Sequence, residues 1–134
     1  MTTTPAAPTV WPALHCADAK GLIKFLVDAF GFEESLVVED GGVVHHAELK
    51  WPLGGGGIML GDAGAHDDEL HAQLPTGPAS ICVACDDPDA LFARATACGA
   101  TVLQSVGDKD YGSRDFTVKD PAGNVWTFGT YRGA

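Results

Sequence analysis

Tyr111-Gly-Ser-Arg-Asp-Phe-Thr-Val-Lys-Asp-Pro-Ala-Gly-Asn-Val-Trp-Thr-Phe-Gly-Thr-Tyr131 is the stretch whose reading decides the architecture of this chain. Two runs rich in β-formers, Asp115 to Lys119 and Val125 to Tyr131, flank the turn Asp120-Pro-Ala-Gly-Asn124. Pro121 presets φ for the first corner, while Gly123 and Asn124 tolerate the positive φ that reverses a chain. The segment reads as a β-hairpin.

Toward the N-terminus, Thr101 to Val106 is a further strand pattern, and a helix pattern precedes it. Asp87 is its N-cap, Pro88 occupies the first helical position, and Gly99 is its stop. Leu91, Phe92, Ala95 and Cys98 recur at helical spacing and form the stripe expected to be buried. Ala79 to Cys85 is the strand ahead of that helix. The first half of the chain repeats the plan. Thr9 to His15 is a strand, Asp18 caps a helix over Ala19 to Phe30, and Gly31 ends it. In that helix Leu22, Phe25, Leu26, Ala29 and Phe30 make the apolar stripe. Strands follow at Glu34 to Glu39, Val43 to Trp51 and Gly57 to Gly61. The order is βαβββ twice, an α+β plan of two units that each leave an open sheet face. The expected organisation is a disordered tail over 1–8 and a single domain over 9–134. Its modules span 9–61 and 78–131, joined by a surface linker over 62–77.

A chain of 134 residues, 46% hydrophobic, is long enough for one domain with a core. Its net charge of −10 repels nucleic-acid phosphate and anionic lipid, so neither nucleic acid nor a membrane is expected as a partner. A neutral or cationic small molecule suits the charge better. Met1-Thr-Thr-Thr-Pro-Ala-Ala-Pro8 has no basic or apolar leader character, and the expected location is cytoplasmic. Cys16, Cys82, Cys85 and Cys98 are then expected to be reduced, buried thiols. Cys82 and Cys85 have C-x-x-C spacing, but on a strand residues three apart face opposite ways and do not converge on a metal.

The duplicated order, Phe30-Gly-Phe32 after the first helix, and the Asp120-Pro-Ala-Gly-Asn124 hairpin together resemble the glyoxalase/bleomycin-resistance/extradiol-dioxygenase superfamily, the vicinal oxygen chelate fold. The PhnB-like branch is the most similar. The resemblance implies sheets curled into open cups, and a homodimer in which cups at the interface form binding sites. Metal-dependent members place His, Gln or Glu on the first and last strands of each module. The matching positions here are Trp11, Met59, Ser80 and Thr127. An indole, a thioether and two neutral hydroxyls leave a divalent cation uncompensated, so no metal and no cofactor is expected.

If Trp11 and Thr127 face inward, alternation puts Ala13, His15, Met59, Ser80, Cys82 and Val125 on the same side, with Ile58, Leu60, Trp126 and Phe128 against the helices. That inner wall suits an aromatic or apolar ligand, and Trp11 is either its stacking platform or a core tryptophan. His46 and Glu48 share a strand face, and with His15 they offer an acid/base set or a polar patch. His45 and His46 point apart unless a bulge intervenes. Tyr111 and Arg114 are rim candidates, with Arg114 binding a ligand or pairing with Asp115 or Asp110. Trp51 either closes the rim or covers its hairpin. Gly54 to Gly57 leads into a strand, so it reads as a flexible hairpin tip and not as a phosphate loop. His66, Asp67, Asp68, Glu69 and His71 fall in the linker, with no predicted frame to hold an ion. The expected function is metal-independent binding of an organic molecule, such as antibiotic or planar natural-product sequestration. The alternative is a glyoxalase-like lyase, isomerase or hydrolase using His46, Glu48 and His15, or a metalloenzyme whose ligands align differently.

Overall fold

The computed structural model describes residues 8–134. Residues 1–7 of the expected tail lie outside the described residues. Pro8 is described, and its carbonyl accepts the Trp11 Nε1–H at 3.0 Å. The elements run β1 (Ala13–Cys16), α1 (Ala19–Phe25) continuing as a π-helical turn (Leu26–Phe30), β2 (Glu33–Asp40), β3 (Val43–Lys50), β4 (Gly57–Asp62), α2 (Glu69–Ala72), β5 (Ser80–Ala84), α3 (Pro88–Ala97), β6 (Thr101–Asp108), β7 (Arg114–Lys119) and β8 (Val125–Gly129). They form two four-stranded sheets, ordered β1-β4-β3-β2 and β5-β8-β7-β6. In each sheet the first strand pairs parallel with the last of its module, and the other pairs are antiparallel. This is the α+β duplication expected from the sequence.

The helices start where their caps predict. The Asp18 carboxylate accepts the Gly21 N–H at 3.0 Å, and Asp87 accepts that of Ala90 at 3.1 Å. Gly31 closes the first helix with φ 86°, a left-handed value that costs glycine nothing. Between α1 and β3, the Asp62 carboxylate accepts the Ala19 N–H at 2.8 Å and the Val44 N–H at 2.7 Å, tying helix start to sheet.

One aromatic cluster joins the modules. Phe30 packs on Trp126 and Phe128 with ring centroids 5.3 and 4.7 Å away, and Phe32 lies 5.1 Å from Trp51 and 5.5 Å from Trp126. Arg94 adds a polar tie, donating to the Asp28 and Val27 carbonyls at 2.8 and 3.1 Å. Below Trp126, the buried Asp120 carboxylate gathers the signature turn. Its Oδ1 accepts the N–H groups of Ala122 and Asn124 at 2.9 and 3.0 Å. Its Oδ2 accepts Asn124 Nδ2 and Trp126 Nε1, both at 2.8 Å.

The elements and thiols differ from the sequence reading in several respects. The first strand starts at Ala13 instead of Thr9, because Pro12 has no N–H for the ladder, although its carbonyl accepts from Met59 at 2.9 Å. The last strand ends at Gly129, and Thr130 turns to donate its N–H to the Arg114 carbonyl at 3.2 Å. The linker expected to lack a frame contains the helical turn α2, capped by Asp68. Finally, Cys16 and Cys85 are buried as expected, but Cys82 and Cys98 are exposed. Cys82 lies on the open face of β5, and Cys98 is the C-cap of α3, past its packed face.

Candidate functional site

Each sheet packs one face on the helices and leaves the other open. In the first module, Ile58 and Leu60 of β4 are 2% and 3% exposed in the core, so Met59 between them faces away. Ala13 and Glu48 pair with Met59, and His15 pairs with Gly61, which puts all of them on that open side. His46, two residues from Glu48, shares the face, and its Nε2 lies 2.8 Å from Glu48 Oε2. Trp11 also takes the open side. A Cβ built on Gly57, which points opposite to Ile58, would meet Trp11 Cζ3 at 2.6 Å, so the indole covers the bare glycine. It is half-buried and absent from the core cluster.

A bulge sits beside this face. Val38 pairs with His46 and Glu39 with Val44, leaving His45 as the extra residue on β3. Val44 and Ala47 are consequently both fully buried, three positions apart. This is the condition under which His45 and His46 need not oppose one another. His45 nevertheless has its own partner, the ring of His66 at 5.4 Å.

The open face of the second module forms a hollow of about 450 Å³. Its floor is Cys82, Thr127 and Gly129, where Cys82 pairs with Thr127 and Asp115 pairs with Gly129. Thr127 Oγ1 is 2.9 Å from Thr117 Oγ1. Ser80 pairs with Val125 at the exposed end of the same face. Tyr111 and Tyr131 form the wall, edge to face with centroids 6.1 Å apart. The Tyr111 hydroxyl donates to Asp115 Oδ2 at 2.8 Å, and this bond is the first cause that pushes the phenol above its ordinary range. Asp115 is itself only 4% exposed, with Lys109 Nζ 3.7 Å away. Gly129 is required here, since a Cβ would come within 2.6 Å of Asp115 Cβ and 3.0 Å of Ser113 Oγ.

Sequence reasoning treated Asp115 only as a possible partner for Arg114 and missed it as a site residue. Alternation held the signal: Thr117 opposes Thr127, so Asp115 shares its face. The same alternation removes Arg114 from the hollow. It lies on the helix side with Phe116 and Val118, and donates from Nε and Nη2 to Asp89, both at 2.7 Å, and from Nη1 to Asp108 at 3.1 Å. Its partners are therefore neither Asp115 nor Asp110. Trp51 lies away from the hollow over Cys82 and Thr127. It is 7% exposed at the junction of the modules, where Nε1 donates to the Ala84 carbonyl at 3.1 Å. From there it walls a second cleft of about 390 Å³, bordered by the glycines 54–57 and by Phe32 and Ile81.

The four positions that carry metal ligands in metal-dependent relatives do not fit a divalent cation here. Trp11 donates its only polar hydrogen to Pro8, Met59 offers a thioether, and the Thr127 hydroxyl is engaged by Thr117. No step of chemistry is assigned to a metal at these residues. Residues 10–128 match the sequence profile described as the Glyoxalase/Bleomycin resistance protein/Dioxygenase superfamily. The chain belongs to this superfamily. It is 34% identical over 127 residues to an uncharacterised protein of Mycobacterium bovis, covering 91% of this chain and 82% of that one. Among solved structures it is similar to TioX from Micromonospora sp. ML1, with a TM-score of 0.75 at 29% identity, covering 92% of this chain and 99% of TioX. A glyoxalase/bleomycin resistance protein/dioxygenase family enzyme from Burkholderia phytofirmans PsJN shares the fold at 20% identity, with a TM-score of 0.69 over 92% and 98% of the two chains. This superfamily includes both binding proteins and enzymes. Among the described residues, no helix is long and apolar enough to cross a membrane.

Proposed function

We propose that this superfamily member binds an aromatic or apolar organic molecule without a metal, sequestering an antibiotic or another planar natural product. The observation that carries this reading is the hollow over Cys82 and Thr127, walled by Tyr111, Tyr131 and an Arg132 neutralised by Asp86, whose one buried charge, Asp115, is held by Tyr111. Such a surface recognises a flat, neutral or cationic molecule by stacking and a few hydrogen bonds. Trp11 and Met59 give the first module a matching apolar surface. Leu36 and Val38, paired with Glu48 and His46 on that same open face, are 44% and 47% exposed, which favours a second copy of the chain covering it. The working form is thus a cytoplasmic homodimer with ligand cups at its interface, of the PhnB-like branch by the wording of Phe30-Gly-Phe32 and Asp120 to Asn124.

Titration with a panel of aromatic natural products, followed by tryptophan fluorescence, tests the reading. Saturable quenching at micromolar ligand that disappears in Trp11→Ala and Tyr111→Ala is expected, and no response across the panel sinks it. Trp11 is half-buried, so its loss costs well under the roughly 3–5 kcal/mol of a core tryptophan.

A second reading rests on the His46 and Glu48 pair at 2.8 Å, a geometry suited to general acid/base work on a ligand in the first cup, with His15 on the same face. A His46→Gln variant separates the two. If a bound ligand is chemically converted by the native protein and survives intact on the variant at unchanged affinity, the protein is an enzyme.

A further inference from the structure

The linker between the modules carries a cluster that neither cup uses. His66, Asp68 and His71 each offer a ligand atom, and these atoms all lie within 4.8 Å of one another. We propose that they form a binding site for a divalent cation of the zinc class, outside both cups.

The site is assembled by local rules. Asp68 caps α2 by accepting the His71 N–H at 2.7 Å, and the turn of helix brings the His71 ring back over the cap, Nδ1 2.7 Å from both carboxylate oxygens. His66, two residues before the cap, stacks on His71 with centroids 4.2 Å apart at 27°. Its Nε2 donates to the His45 carbonyl at 3.0 Å, on the bulge of β3. That bond fixes the His66 tautomer and leaves Nδ1 with its lone pair free, the arrangement metal-bound histidines adopt when the far ring nitrogen donates to a carbonyl. Two imidazoles and a carboxylate are a zinc ligand set, and around a tetrahedral ion donor atoms stand about 3.3 Å apart at zinc distances of about 2.0–2.2 Å. The widest separation therefore has to close by no more than about 1.5 Å, while the His71–Asp68 contact at 2.7 Å opens and gives up its shared proton to solvent, both within reach of side-chain rotation at exposed or half-exposed positions. Water completes the shell, or the His45 imidazole does, 5.4 Å from His66. Since His66 is fastened to β3, an ion here clamps the linker onto the first sheet.

Calorimetric titration of the full chain, free of any affinity tag, with Zn²⁺ tests the proposal. One ion per chain at micromolar affinity is expected. His66→Gln, His71→Gln and Asp68→Asn should each weaken it at least tenfold, with unchanged circular dichroism. Asparagine keeps the helix cap, so Asp68→Asn isolates the carboxylate. His46→Gln should bind as the native chain does. Hydrogen exchange over residues 62–77 should slow on adding Zn²⁺ to the native protein and not to His71→Gln. Absence of binding up to millimolar Zn²⁺ overturns the proposal. So does binding that survives His66→Gln and His71→Gln, or that is lost in His46→Gln, which would put the ion in the cup.

Discussion

Replacing Asp120 by Ala removes the acceptor that organises the hairpin from Tyr111 to Tyr131. The carboxylate takes four hydrogen bonds, from the N–H groups of Ala122 and Asn124, from Asn124 Nδ2 and from Trp126 Nε1. Ala122 is half-exposed and can turn to water. The Asn124 groups and the Trp126 indole are buried, so three donors are stranded. Each buried unsatisfied donor costs about 1–3 kcal/mol, and some of that is recovered if water enters the space the side chain vacates. The expected loss is therefore about 4 kcal/mol, a large part of the roughly 5–15 kcal/mol available to a domain. Asp120→Asn should cost about 3 kcal/mol, because its amide turns donors toward donors at Trp126 and Asn124. Trp126→Phe removes one donor and leaves the carboxylate its other partners, so it should cost less than Asp120→Ala. The double variant Asp120→Ala/Trp126→Phe should be less destabilised than the sum. Urea unfolding followed by far-ultraviolet circular dichroism gives the values. A loss below about 1 kcal/mol for Asp120→Ala, or strict additivity in the double variant, would refute the reasoning.

The remaining predictions concern packing, charge and thiols. Gly57→Ala should destabilise by about 2 kcal/mol and weaken ligand binding, since its Cβ would sit 2.6 Å from both the Leu49 carbonyl and the Trp11 ring; thermal melts and titration check it, and unchanged binding would place Trp11 outside the site. Arg114→Ala should leave the urea midpoint and the ligand affinity essentially unchanged, because its carboxylate partners are exposed, screened by solvent and on the helix side. Iodoacetamide should label Cys82 and Cys98 in the native protein and reach Cys16 and Cys85 only after unfolding, which intact mass measures. Burial pushes the Cys85 thiol up to about 11 from an ordinary 9.0. The unfolded chain then loses this proton first, so stability should fall as pH rises from about 9 to about 11. Urea midpoints across that range should fall less steeply in Cys85→Ala.

The hairpin, both helix starts and the glycine stops were legible because each is a local device. Asp18 and Asp87 cap within three residues, Gly31 and Gly99 take left-handed φ, and Pro121 and Gly123 shape one turn. Strand alternation was legible for the same reason, and it correctly turned Ile58, Leu60, Trp126 and Phe128 inward. Along β7 the same alternation separates Asp115, which shares a face with Thr117, from Arg114. Alternation names a bulge at His45 only as a condition, because the contact beside it comes from another strand: Asp62 accepts the N–H of the neighbouring Val44. Trp51 follows a strand and precedes Pro52, so nothing nearby in sequence showed that its indole reaches Ala84 in the other module.

By itself the sequence determined the duplicated βαβββ plan, its superfamily and the poor metal donors at Trp11, Met59, Ser80 and Thr127. The plan follows from residue identity and from hydrogen bonds closed within a few positions, and the four metal positions follow from the resemblance to the superfamily. Only the tertiary structure decided that Tyr111 and Asp115 wall a hollow, that Arg114 serves the helix side, and that His66 and His71 meet beside the bulge. Those facts depend on contacts between distant segments, where the packing of the two modules and a single strand irregularity fix which way a side chain points.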